Sequence, residues 1–312
     1  MKFLSRINSL WLVTACFVLP NFFITNEYIL HVLIMLEIWI ILGMSMNLIM
    51  GYAGQISAAH GAIFGIGAYS SALLCLRLGL SFWTSMPCAM LLSMFFGLLI
   101  GLPSFRSTGV YFVIVTLGFG LVFTDIFMNW LKLTNGPMGL GNIPPPSSIL
   151  GFSFIPKKSY YNLVLVFMFF SMCLMKWLST ARLGRALIAL REDDVLAKSF
   201  GISVTRYKAI AMVVSSGVAG MAGSLYAHYI LFIDPVSFTI TTSLDMTILV
   251  VVGGMGTFLG PIVGAVVFII LPEILRVTAQ SRMVIYGLLL LFFLMFAPRG
   301  ITTLVRDRIS KR

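Results

Sequence analysis

Of the 312 residues, 59% are apolar and only 10% are charged, with a mean hydropathy of +1.03; a soluble globular domain carries roughly 25% charged residues, so that class is excluded. The net charge of +11 would suit a nucleic-acid binder, but the Lys and Arg residues lie in short segments between apolar runs, as membrane topology signals do. A helix needs roughly 20 mostly apolar residues to cross ~30 Å of hydrocarbon, and such runs recur along the whole chain.

In chain order, spans are expected near residues 9–25, 28–49, 60–76, 82–102, 109–130, 160–177, 207–229, 244–258, 259–275 and 283–297. The expectation is therefore an all-α polytopic transmembrane helix bundle of about ten spans, a single membrane domain covering residues 1–312. Lys2 and Arg6 before the first apolar run, with Val13-Thr14-Ala15-Cys16, also fit a cleaved leader; the run continues to Phe23, which favours an uncleaved first span. With the N-terminus in the cytoplasm, 15 of the 21 Lys and Arg residues fall in inside segments and 6 outside. Both termini are then cytoplasmic. Cys16, Cys75, Cys88 and Cys173 lie in or beside apolar runs without C-x-x-C spacing, so neither a disulfide framework nor a metal site is expected.

Residues 51–57 (GYAGQIS) and 252–257 (VGGMGT) place glycine-rich, irregular backbone at membrane depth. Such backbone needs protein or water around it. The two segments lie in opposite halves and each leads into G-x-x-x-G steps, Gly61 to Gly65 and Gly256 to Gly260 to Gly264, which hints at a pseudo-repeat around a central pathway. Small residues at Gly97 and Gly101, and at Ala219, Gly223 and Ala227, read as helix-packing positions. The Asn135-Gly136-Pro137 and Pro144-Pro145-Pro146 runs mark residues 131–158 as an outside loop.

Residues 178–206 form the longest cytoplasmic connection. Leu183, Leu187 and Leu190 make an apolar stripe at helical spacing, with Arg182, Arg185 and Arg191 off it. Asp193 or Asp194 can cap a second, short helix through Val195 to Phe200, ended by Gly201 in a left-handed conformation. This compact helix is either a solvated connector or a docking element for a cytoplasmic partner.

Ionisable side chains inside spans are costly and usually face a cavity, a partner helix or a pathway. Glu37 is central in its span, whereas Asp125, Asp245 and Glu273 lie near span ends and read as wetted. From depth and polarity, Glu37, Asn47, Gln55, Ser57, His60 and Thr116 are candidate pathway-lining residues, and His60 fits a hydrogen-bonded packing histidine better than a metal ligand. The chain has no G-x-x-x-x-G-K-[ST] phosphate loop, no G-x-S-x-G and no H-E-x-x-H, so neither nucleotide hydrolysis nor enzyme chemistry is expected of it. Transport is the remaining class.

Five stretches in order, residues 51–69 (GYAGQISAAHGAIFGIGAY), 134–144 (TNGPMGLGNIP), 184–208 (GRALIALREDDVLAKSFGISVTRYK), 253–265 (GGMGTFLGPIVGA) and 296–301 (FAPRGI), resemble the branched-chain amino acid permease family of ATP-binding-cassette importers. The resemblance runs nearly end to end. It implies an inner-membrane subunit that pairs with a second, homologous permease, two cytoplasmic ATPases that hydrolyse the ATP, and an extracytoplasmic substrate-binding protein. No cofactor is then bound by this chain. Arg191, Glu192, Asp193, Asp194, Ala197, Lys198 and Gly201 are implied to couple it to the ATPase, with Asp193 and Asp194 standing where the general importer loop has alanines. A permease for urea or short amides, a close relative, and an ATPase-independent channel or carrier remain alternative readings.

Overall fold

The computed structural model describes residues 26–105, 109–148, 151–274 and 300–303, with Phe17, Gly287 and Leu291 besides. The spans expected at 9–25 and 283–297 otherwise lie outside the described residues. Among those described the architecture is all helical, with one isolated bridge, Leu140 to Ile233, tying the long loop after residue 130 to the loop before residue 240.

Numbering from the first described helix, α1 spans Glu27–Asn47 and runs into a π-turn, Leu48–Tyr52; α2 spans His60–Leu78, α3 Phe82–Ser104 and α4 Val110–Asn129. A single turn, α5, Leu131–Thr134, precedes the loop, and α6 then spans Lys157–Thr180. Two short helices follow, α7, Arg182–Glu192, and α8, Asp194–Ser199, before the long α9, Val204–Ile230. Next come α10, Ile240–Gly253, and α11, Gly260–Ile274, and residues 301–303 are helical again. Six are long and apolar enough to cross a membrane: α1 with its π-turn, α2, α3, α4, α6 and α9. The ends expected from the sequence agree with theirs to within a few residues.

The region expected to form spans 244–258 and 259–275 is organised differently. The first of its two helices is only 14 residues long, about 21 Å at 1.5 Å per residue, and an irregular turn over residues 254–259 separates it from the second, which is described from Gly260 to Ile274. The first of them begins at Ile240, because Thr242 and Ser243, which hydropathy counts as loop, find partners: the Thr242 hydroxyl donates to the Ser237 carbonyl and Ser243 bonds residues of the 58–61 backbone.

The bundle's centre is α9, which packs chiefly against α3 and α2, while α1 packs against α6 and α11. Close approach is made by missing side chains. A Cβ on Gly67 of α2 would collide with the Gly220 backbone of α9, and one on Gly97 of α3 with the Ser216 hydroxyl. Small residues let helix backbones approach where lipid removes any hydrophobic drive between helices. The three helices therefore form one closely packed block. By contrast α4 is the least covered long helix, and Asp125 lies on its open face beside Trp130.

Candidate functional site: the junction of two broken segments

The two glycine-rich segments meet at the end of the bundle that carries α7 and α8. Asn47, the last residue of α1, is 4% exposed and clasps them: its side-chain N–H donates to the Thr257 carbonyl at 2.9 Å, and its side-chain oxygen accepts from the Gly256 amide at 2.9 Å. A Cβ on Gly51 would overlap the Asn47 oxygen and lie 2.5 Å from the Gly256 amide nitrogen. Glycine is needed here because two backbones touch.

Beyond the clasp, residues 58–61 are suspended between helices. Thr116 of α4 accepts from the Ala58 amide at 3.1 Å and donates to the Phe112 carbonyl at 2.9 Å; Ser243 of α10 donates to the Ala58 carbonyl at 2.8 Å and accepts from the Gly61 amide at 2.7 Å. Irregular backbone inside a membrane domain must find such partners. Thr116 thus anchors the segment, and Ser243, which depth and polarity do not pick out, does so equally.

His60, fully buried, joins α2 to α1 and α9. Ser45 and Ser215 each donate to the other's carbonyl at 2.8 Å, so their hydroxyl oxygens are left to accept from His60 Nε2, at 2.6 and 3.2 Å. That assigns the proton to Nε2 and leaves Nδ1 as a bare acceptor with no hydrogen-bond partner among the described residues. Gln55, with both side-chain polar atoms, and Ser57 are in the same condition, at 4% and 0% exposure. Four orphaned polar atoms on residues 55–60 are costly, since an unmet buried polar group typically costs about 1–3 kcal/mol.

Glu37 is elsewhere. It is fully buried ten residues before Asn47, ~15 Å along α1, within reach of a single hydroxyl among the described residues. It faces Tyr161 of α6, whose hydroxyl donates to the Phe17 carbonyl. The structure therefore gathers Asn47, Gln55, Ser57, His60 and Thr116 around one broken segment and leaves Glu37 outside that group.

The amphipathic α7 seats Leu187 and Leu190 on the bundle, with Leu183 partly covered. Asp193, not Asp194, caps α8, accepting from the Val195 and Leu196 amides at 2.8 and 2.9 Å. Gly201 ends that helix at φ +80. Asp194 is committed to Lys208 of α9, 2.6 Å away, whose side chain is only 3% exposed; nothing in the sequence pattern marks that pair. Ala197 is buried against the body, so the surface α8 offers is Val195, Leu196 and Lys198, continued by Phe200. Three large apolar side chains held out at 80%, 57% and 78% exposure form a knob that invites a partner.

Six apolar helices long enough to cross a membrane, with two broken segments joined by a polar clasp and a short helix projecting from the same end, define a multi-pass membrane protein. The chain matches, over residues 28–297, the family described as the permease component of the branched-chain amino acid transport system. It is 34% identical over 298 residues to the high-affinity branched-chain amino acid transport system permease protein LivM of Salmonella typhimurium, covering 88% of this chain and 70% of that one, and 33% identical over 295 residues to the LivM of Escherichia coli K12, covering 88% and 69%. The permease protein LivH of the same Salmonella system is 23% identical over 286 residues, covering 85% and 90%. This chain belongs to that family of branched-chain amino acid transport permeases. No solved structure matches it.

Proposed function

We propose that this chain is one permease of an ATP-binding-cassette importer that moves branched-chain amino acids into the cytoplasm, working beside a second, related permease, two cytoplasmic ATPases and an extracytoplasmic binding protein. The observation that carries the reading is α8: a capped, glycine-ended helix whose Val195, Leu196 and Phe200 stand exposed while Lys208 and Ala197 fix it from beneath. In this reading the α8 end is cytoplasmic, in line with the excess of Lys and Arg in the inside segments, and the membrane is the bacterial inner membrane.

The mechanism follows from what is tied to what. ATP-driven closure of the ATPases moves α8, and the half-buried Asp194–Lys208 pair passes that motion to α9. Because α9 is locked to α2 and α3, the block moves as one, and the broken segment leading into α2 moves with it. The orphaned groups of Gln55, Ser57 and His60 then gain partners when the pathway opens, water or the passing amino acid. Alternating access of this kind needs only two arrangements of one rigid group against another. The permease binds no cofactor of its own, and selectivity rests with the binding protein.

The test is reconstitution of the whole assembly in proteoliposomes. ATP inside and leucine-loaded binding protein outside should together be required for leucine uptake. Uptake without ATPases would support a channel or carrier, and uptake of urea in place of leucine would move the chain to the amide branch.

A further inference from the structure

The side chain of Arg191 does not point toward the surface that α8 offers. It turns inward from the last turn of α7, and Nη1 donates to the Gly51 carbonyl at 2.7 Å. Its Nη2 and Nε meet Glu192 Oε1 at 2.8 and 3.3 Å, an exposed neighbour on the outer side, so the inward hold is the bond to Gly51. The trough that receives it is built from glycine. A Cβ on Gly54 would lie 2.7 Å from Arg191 Cγ, and one on Gly256 would lie 2.7 Å from Nη1; both glycines have positive φ, +70 and +72. Gly51 and Gly54 belong to one broken segment and Gly256 to the other, and Asn47 already joins the two. One arginine therefore touches both segments at their clasp, two residues before the Asp193 that caps α8.

Resting on the importer reading above, we infer that Arg191 is a positioning residue, a direct strut that carries the displacement of α8 to the clasp between the broken segments and sets when that clasp opens. It is a second route beside the α9 lever, and it acts inside this chain with no contact to the ATPase. Arginine is suited to such a strut because its planar fork satisfies a carbonyl and a carboxylate at once, which the single ammonium of lysine cannot do with the same geometry.

The experiment uses the complete assembly in proteoliposomes and reads amino acid transported per ATP hydrolysed, a ratio that a general loss of folded protein does not move. For Arg191→Ala the ratio should fall roughly ten-fold, inside the range that coupling free energies between sites produce, with hydrolysis stimulated by loaded binding protein retained and the ATPases still co-purifying. Arg191→Lys should fall between the two. An unchanged ratio in Arg191→Ala would overturn the inference. So would loss of the ATPases from both variants, which would make Arg191 a docking or folding residue. A wild-type assembly whose uptake ignores ATP would instead overturn the importer reading, and that is seen before any variant is made.

Discussion

Alanine at position 51 is expected to abolish uptake while leaving the permease inserted and assembled. The added methyl would overlap the Asn47 side-chain oxygen and sit 2.5 Å from the Gly256 amide nitrogen, with the Gly256 Cα at 2.9 Å. Neither backbone can yield alone, since Asn47 binds the far segment through two hydrogen bonds. Overpacking of this kind costs about 1–3 kcal/mol, and each broken bond adds about 1 kcal/mol. Together they amount to at least ten-fold in the population of the clasped state, at about 1.4 kcal/mol per factor of ten. Alanine at Gly118, on the open face of α4 with no described residue within 4 Å, is the matched control and should leave uptake unchanged. Full uptake by the Gly51 variant, measured with radiolabelled leucine, would show that the clasp has no part in transport.

The second large effect is expected at α8. Leu196→Asp together with Phe200→Asp changes two side chains that are 57% and 78% exposed, so the isolated permease should be no less stable, surface changes usually lying within about 0.5 kcal/mol. If both side chains fill a cleft on the ATPase, their loss removes the desolvated centre of the interface. Truncations at such centres cost about 2 kcal/mol or more, some thirty-fold in affinity, and the ATPases should be lost from the purified assembly. A double variant that retains its ATPases and its uptake would return α8 to the status of a solvated connector.

These effects fall on residues that are unequally visible in the sequence. The long helices are legible because hydropathy over some twenty residues is a direct reading of the solvent they face. So is the outline of α7 and α8, from the leucine stripe, a cap at Asp193 or Asp194 and Gly201. The two broken segments stand out as glycine-rich backbone at depth, and Asn47, Gln55, Ser57, His60 and Thr116 stand out by polarity alone. What polarity cannot give is what each contacts: Asn47 reaches Gly256 and Thr257 across 209 and 210 positions, a distance at which no local period carries information.

Charge is the more misleading guide. Arg191 and Asp194 stand in a polar stretch whose usual fate is solvation, yet one fills a glycine trough and the other pairs with a nearly buried lysine. Ala197, grouped with them as a coupling residue, faces the bundle and supports α8 from below. Glu37, expected from its depth to face a cavity, a partner helix or a pathway, does face a partner helix at Tyr161, apart from the clasp.

Crosslinking from α8 tests the central claim most directly. Single cysteines placed at Val195, Phe200 or Ala197, in a chain whose four native cysteines are replaced, should be treated with a short thiol-to-amine crosslinker in membranes from cells that express the whole assembly. Cysteines at Val195 and Phe200, exposed at 80% and 78%, should join this chain to the ATPase, and the one at Ala197, exposed at 4%, should not. Products with the ATPase absent at both exposed positions, while uptake remains normal, would contradict the account.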